Sequence, residues 1–368
     1  MYLPAFAPAA LRVALAALLL GSCAHGGGEP ATAIVPLLET APGGGPVNRD
    51  SGITVRTLAD DLREPWGLDF LPDGSLLVTE KAGTLLRVDS AGTRRAHIIG
   101  VPPVADAGQG GLMDVVVHPA FADNHWIYLS YTVAEAGAYS TRVSRARLVD
   151  DELRELEVLF TASPWYRERR HFGSRLLLDD SHLYITVGDR GNRNRAQSLE
   201  THNGKVLRLT EGGGVPADNP FVGRAGARPE IWSYGHRNPQ GIARHPLDGS
   251  IWVSEHGPQG GDEINVLVRG AKYGWPVVTY GEEYGGGRIG EGTHREGMNQ
   301  PLRYWTPSIG SSGIAFYTGD AYPAWGHSLL VAGLRQPRIS RLALAGSGMG
   351  EETVLLGDLD LRVRDVQV

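Results

Sequence analysis

The chain has 368 residues, a formal net charge of −6, 42% hydrophobic residues, 50 glycines and 23 prolines. That hydrophobic share excludes a disordered chain, and so much glycine and proline points to many short strands joined by turns. The acidic balance excludes a broad nucleic-acid footprint, while local clusters of arginine leave room for a small anionic ligand.

The chain opens with Arg12, the apolar run Val13 to Leu20, then Gly21, Ser22 and Cys23. Those eight apolar residues cannot cross a hydrocarbon core that needs about 20. The sole cysteine ends the sequence LGSC, which resembles a bacterial lipobox. Residues 1–23 therefore read as a lipoprotein-type signal peptide, with export to the periplasmic side of a bacterial membrane. Lipidation of Cys23 would be the one membrane attachment. Disulfides are excluded, so the fold must rest on its core or on bound metal. Residues 24–50, rich in glycine and proline, read as a flexible linker.

From 51 to 368 one pattern recurs: an apolar strand, a tight turn, a second strand and a looser hairpin. Residues 65–88 are the clearest copy, with Pro72, Asp73 and Gly74 as the turn. Further copies lie at 110–132, 172–191, 238–257 and 312–334, and a sixth begins at 361–368 and stops after one strand. Repeats beginning about 45 to 70 residues apart, each worth about four strands, signify an all-β, six-bladed β-propeller of four-stranded antiparallel blades. The last blade reads as truncated, since an open propeller would leave an unpaired sheet edge. Two β-sandwich domains are the competing reading. Helix is confined to a turn near 195–201.

In a propeller the loops at one end of the inner strands gather at the axis, so functional residues should share a phase of the repeat. Gln109 precedes the second copy, His171 the third, Arg237 and Asn238 the fourth, and Arg362 and Arg364 open the sixth. His171 is either a general base, with Asp189 of the following hairpin as its orienting carboxylate, or a hydrogen-bonded loop histidine. Arg237, Arg335, Arg362 and Arg364 facing one channel would suit a polycarboxylate. Surface salt bridges account better for the arginines of RERR at 167–170. The strand pair Gly241 to His245 and Ser250 to Ser254 has polar ends, with Glu255, Gly257, Pro258, Asp262 and Glu263 at its exit. With the Tyr273 backbone, these oxygens form either a Ca²⁺ site or an ordinary acidic turn; the absence of other cysteines disfavours zinc.

At PWGLDFLPDG, GQGGLMDVVVHP, HFGSRL, VGDRG, NGKVLRL, GHRNPQG, EHGPQGGDEIN, YGWP and LRVRDV the chain resembles the soluble quinoprotein aldose sugar dehydrogenases, the glucose/sorbosone dehydrogenase family that uses pyrroloquinoline quinone (PQQ). The runs occur in family order across about 53–368. The resemblance implies oxidation of the anomeric carbon of an aldose to a lactone, with electrons passed to an external quinone or cytochrome by a monomer or homodimer. It implies His171 as the base, Asp189 as its orienting acid and Arg237 at the reactive carbonyl of PQQ. Gln109, Asn238, Tyr284, Arg362 and Arg364 would be cofactor contacts, and Arg335 stands where relatives often carry lysine. Gly257 and Pro258 would give carbonyls to one Ca²⁺, and Glu263 and Tyr273 would hold a second. A metal-dependent propeller lactonase and a non-catalytic propeller that binds a sugar or a partner are the alternatives.

Overall fold

The computed structural model describes residues 48–49, 53 and 55–368, apart from 94, 180, 346 and 347. Cys23 and nearly all of the linker lie outside the described residues. Among the described residues no helix is long and apolar enough to cross a membrane.

The strands form consecutive antiparallel sheets whose members are neighbours in the order in which they occur in the chain. Their inner strands are Pro65–Phe70, Leu112–Val117, Leu176–Asp179, Pro239–Arg244 and Ser311–Phe316. Four sheets have four strands, and the fifth gains a strand because Asn48–Arg49 pairs parallel with Gly348–Leu355. The turn expected at 72–74 is present: Gly74 has φ of 79°, its N–H donates to Leu71 O at 2.9 Å, and Ser75 N–H donates to Asp73 Oδ1 at 2.9 Å.

Central strands such as Ile251–Glu255 and Leu329–Gly333 are buried along their whole length. The reason is visible in the apolar clusters, which lie between successive blades, so the sheets of blades two to four are covered on both faces by neighbouring blades, while the second face of blade five packs on residues such as Val363 and Val366. Leu77, Leu112 and Leu129 fill the first such interface, and Trp252, Phe316 and Leu329 fill the last. Each large side chain so buried contributes about 1.5–3 kcal/mol.

The expectation of six blades is corrected to five. Residues 361–368 form no strand. Instead Val363 N–H donates to Gly333 O at 3.0 Å, and Arg364 O accepts from Gly313 N–H at 3.1 Å. Asp365 Oδ2 accepts from Leu68 N–H at 3.1 Å. Val366 packs on the open face of blade five. The segment is thus spent as a seam joining blades five and one, with isolated hydrogen bonds to two different sheets in place of a ladder.

One guanidinium organises the axis. Arg175, buried at the head of blade three, donates from Nη1 to Asp114 Oδ1 at 2.9 Å and Asp365 Oδ2 at 2.8 Å. Its Nε donates to Gln240 O at 2.8 Å and its Nη2 to Arg364 O at 3.1 Å, and the group lies 4.3 Å over the Trp66 ring. Every blade but the fifth, and the seam, meets this side chain. Burial pushes the Asp114 carboxyl up to about 7 against the pull of Arg175.

Candidate active site

His171 stands at the end of the loop leading into blade three, with φ of 53°, a left-handed conformation uncommon for histidine. Its N–H donates to Gln109 Oε1 at 2.7 Å, which fixes the loop of blade three to that of blade two. Gly188 is required opposite: a Cβ there would run into the His171 carbonyl.

The imidazole Nδ1 lies 2.7 Å from Asp189 Oδ1. A carboxylate can only accept, so Nδ1 carries the proton and Nε2 keeps a lone pair. Asp189 Oδ1 also accepts from Gly191 N–H at 2.6 Å, and Oδ2 accepts from the Trp275 indole N–H at 2.8 Å. Burial pushes the Asp189 carboxyl up, but the hydrogen bond to His171, the Gly191 N–H and the Arg237 charge outweigh it and hold it below the usual range. For His171 burial dominates and, with the charges of Arg237 and Arg170, holds the imidazole below its ordinary value despite Asp189. The result is a neutral, oriented imidazole whose side chain is 13% exposed.

Trp275 was not among the residues singled out from the sequence. Its carbonyl accepts from Gln197 Nε2 at 2.5 Å, and Arg237 lies over its ring at 5.3 Å. Arg237 is anchored by its N–H to Glu255 Oε2 at 2.8 Å and by Nη1 to His256 O at 3.0 Å.

Next to this group opens a cavity of about 600 Å³, a size that suits a cofactor or a drug-sized ligand. It brings together Gln109, Asn238, Tyr284, Arg335, Arg362 and Arg364, with Pro258 also on its wall. Arg364 Nη1 donates to Gln240 Oε1 at 2.9 Å and Arg362 Nε to Leu334 O at 3.2 Å. Among the described residues no carboxylate comes within ion-pair distance of Arg335, Arg362 or Arg364. Burial, with the charges of Arg175 and Arg362, pushes Arg364 down to about 10. Clustered cations without an acid partner are costly, and an anion with several carboxylates would relieve that cost. Tyr284 is 70% exposed beside three glycines at 285–287.

A second cavity, of about 20 Å³, is lined by Arg237, Glu255, Gly257, Glu263, Trp275 and Asn299 among others. Arg237 lines this space, and His256, which lines both cavities, feels the charges of Arg237 and Arg364 alike. Burial and the Glu255 charge push Glu263 up to about 8, and Asn265 Nδ2 donates to both carboxylates at 3.1 Å. Asn265 Oδ1 and both amide atoms of Asn299 are buried with no partner among the described residues. The carbonyls of Gly257 and Pro258 accept no hydrogen bond there either. These hard oxygens suit Ca²⁺, although no cage of three acidic or histidine side chains occurs among the described residues. Tyr273 does not join them at that cavity: its hydroxyl donates to Val266 O at 2.5 Å and its carbonyl accepts from Gln197 Nε2 at 3.2 Å.

The fold and site define a β-propeller that gathers unpaired cations at one end of its axis beside a carboxylate-held histidine. The chain belongs to the Glucose / Sorbosone dehydrogenase family, which it matches over residues 62–368. It is 41% identical over 322 residues to the aldose sugar dehydrogenase YliI of Escherichia coli K12, covering 86% of this chain and 87% of that one. A crystal structure of a glucose dehydrogenase superposes with a TM-score of 0.83 at 45% identity, covering 85% of this chain and 92% of the other. The aldose sugar dehydrogenase of Streptomyces coelicolor, solved in its PQQ-bound form, superposes with a TM-score of 0.70 at 31% identity, covering 84% and 86%.

Proposed function

We propose that this protein is a quinoprotein oxidoreductase that oxidises the anomeric carbon of aldose sugars to lactones, with PQQ in the larger cavity and an external quinone or cytochrome as acceptor. The observation that carries the reading is the set of three guanidiniums without acid partners in a cavity adjoining the His171–Asp189 couple. When bound, PQQ supplies an electron-accepting quinone. Arg335, Arg362 and Arg364 would grip its carboxylates, and Gln109, Asn238 and Tyr284 would contact it. His171 takes the proton of the anomeric hydroxyl at Nε2, and Asp189 stabilises the imidazolium that results. Arg237 adds fixed positive charge at the same end of the site.

The carbonyls of Gly257 and Pro258 would hold one Ca²⁺ beside the cofactor. Glu263, with Glu255 and Asn299 at the small cavity, would serve a second. The lactonase alternative needs a carboxylate cage on the axis, and the axial carboxylates Asp114 and Asp365 are instead taken by Arg175. The test is metal-stripped protein given PQQ, Ca²⁺, glucose and an electron-accepting dye: bleaching should require both additions. Tight PQQ binding with no oxidation of any sugar would leave a binding propeller, and no PQQ binding would remove the proposal. Export and anchoring through Cys23 belong to the same reading; C23A should move the protein from the membrane to the soluble fraction.

A further inference from the structure

The arginines of 167–170 do not make the surface salt bridges expected of them. The one acid among them, Glu168, is taken by Arg195 at 3.2 Å. Arg167, Arg169 and Arg170 are exposed, and no carboxylate among the described residues lies within ion-pair distance of any of them. In a chain with a net charge of −6, three unpaired cations in four residues at the threshold of His171 call for a reason.

Two of the three are seated against the site. Arg170 Nη2 donates to Gly191 O at 3.5 Å, and a Cβ at Gly191, where φ is 77°, would run into the Arg170 guanidinium. The same Gly191 donates its N–H to Asp189. The Arg170 charge reaches His171, which it helps to hold neutral. Arg169 accepts Gln109 N–H at its carbonyl at 2.9 Å, and its side chain lies against Gly108, whose φ of 62° and crowded Cα exclude any larger residue. Gly108 and Gln109 are themselves wall residues of the large cavity. The Arg169 guanidinium sits 5.3 Å over the Tyr139 ring, which leaves its N–H edges free. Gly191 thus beds the Arg170 guanidinium and Gly108 the Arg169 backbone and Cβ, in the chain segments that flank His171.

We propose that the sugar oxidised here carries an anionic group, a carboxylate or a phosphate, held by Arg169 and Arg170 while its anomeric end faces His171. A planar guanidinium matches either anion in bidentate fashion. The proposal rests on the dehydrogenase reading for the reaction but not for the binding, so both are measured. The probes are glucose, glucuronate and glucose 6-phosphate, each with a free anomeric hydroxyl.

For the PQQ- and Ca²⁺-loaded protein, kcat/KM for at least one anionic sugar should exceed that for glucose by about tenfold or more, as one added charge-assisted contact allows. The preferred anion identifies the source. In R169Q/R170Q that ratio should collapse towards one, and raised salt should shrink it in the parent protein. Calorimetric titration of the PQQ-free protein should show an anionic preference of which the part lost in the variant belongs to Arg169 and Arg170 and the remainder to Arg335, Arg362 and Arg364. Preference in binding without turnover of any sugar would sustain the anion site and sink the dehydrogenase reading. Equal kcat/KM for the three sugars, or a preference that survives in R169Q/R170Q, would overturn the proposal. If salt then slowed only reduction of a protein acceptor, the rim would belong to an acidic partner.

Discussion

The 2.7 Å contact between His171 Nδ1 and Asp189 leaves Nε2 as the one basic atom of the couple. H171A should lower kcat/KM by about 10² to 10⁴ while PQQ binding, followed by its absorbance, persists. Because His171 is held below its ordinary value, its base form survives acidification, so the acid limb of kcat/KM should fall below about 6.5. The indole of Trp275 adjusts that limb. W275F removes a donor from Asp189, makes the carboxylate more basic and strengthens its hold on the imidazole proton, so the limb should move up in pH. An unmoved limb in W275F would deny Trp275 any part in positioning the base. The contact of His171 with Asp189 was legible in the sequence because His171 stands at the phase where propeller loops converge and Asp189 ends the hairpin that it opens. Trp275 was not, since its bond to Asp189 spans 86 residues and nothing local announces it.

Strands and turns were read well where local chemistry decides them, as in Asp73-Gly74 or the pair now bounded by Pro239–Arg244 and Ile251–Glu255. The blade count was not, because a single apolar stretch at 361–368 looks the same whether it begins a sheet or seals a gap between two. The loops carried less local signal still: Glu263 and Tyr273 are close in sequence, yet Tyr273 turns towards Gln197. That loop depends on Gly235, with φ of 86°, because a Cβ there would overlap the Tyr273 carbonyl. G235A should therefore cost more than about 2 kcal/mol, read as a lower urea midpoint at constant slope.

At the scale of the whole molecule, Arg175 unites the inner strands with the seam. R175M would strand Asp114 and Asp365 as buried carboxylates without their cation, at about 3–5 kcal/mol. The variant should unfold at lower denaturant and bind PQQ more weakly, because the Arg364 carbonyl keeps Gly313 and Ser312 but loses the donor that ties it to blade three. Arg362 and Arg364 ride on the same few residues that fasten blade five to blade one. A ligand gripping those two side chains therefore also tightens the closure of the ring, and thermodynamic linkage makes the converse true. At about 100 times its Kd the cofactor should add about 2.7 kcal/mol to the unfolding free energy, seen as a Tm that climbs with its concentration. Loss of the seam would release cofactor and open the ring in a single step, so that the propeller's mechanical integrity reports whether it is loaded.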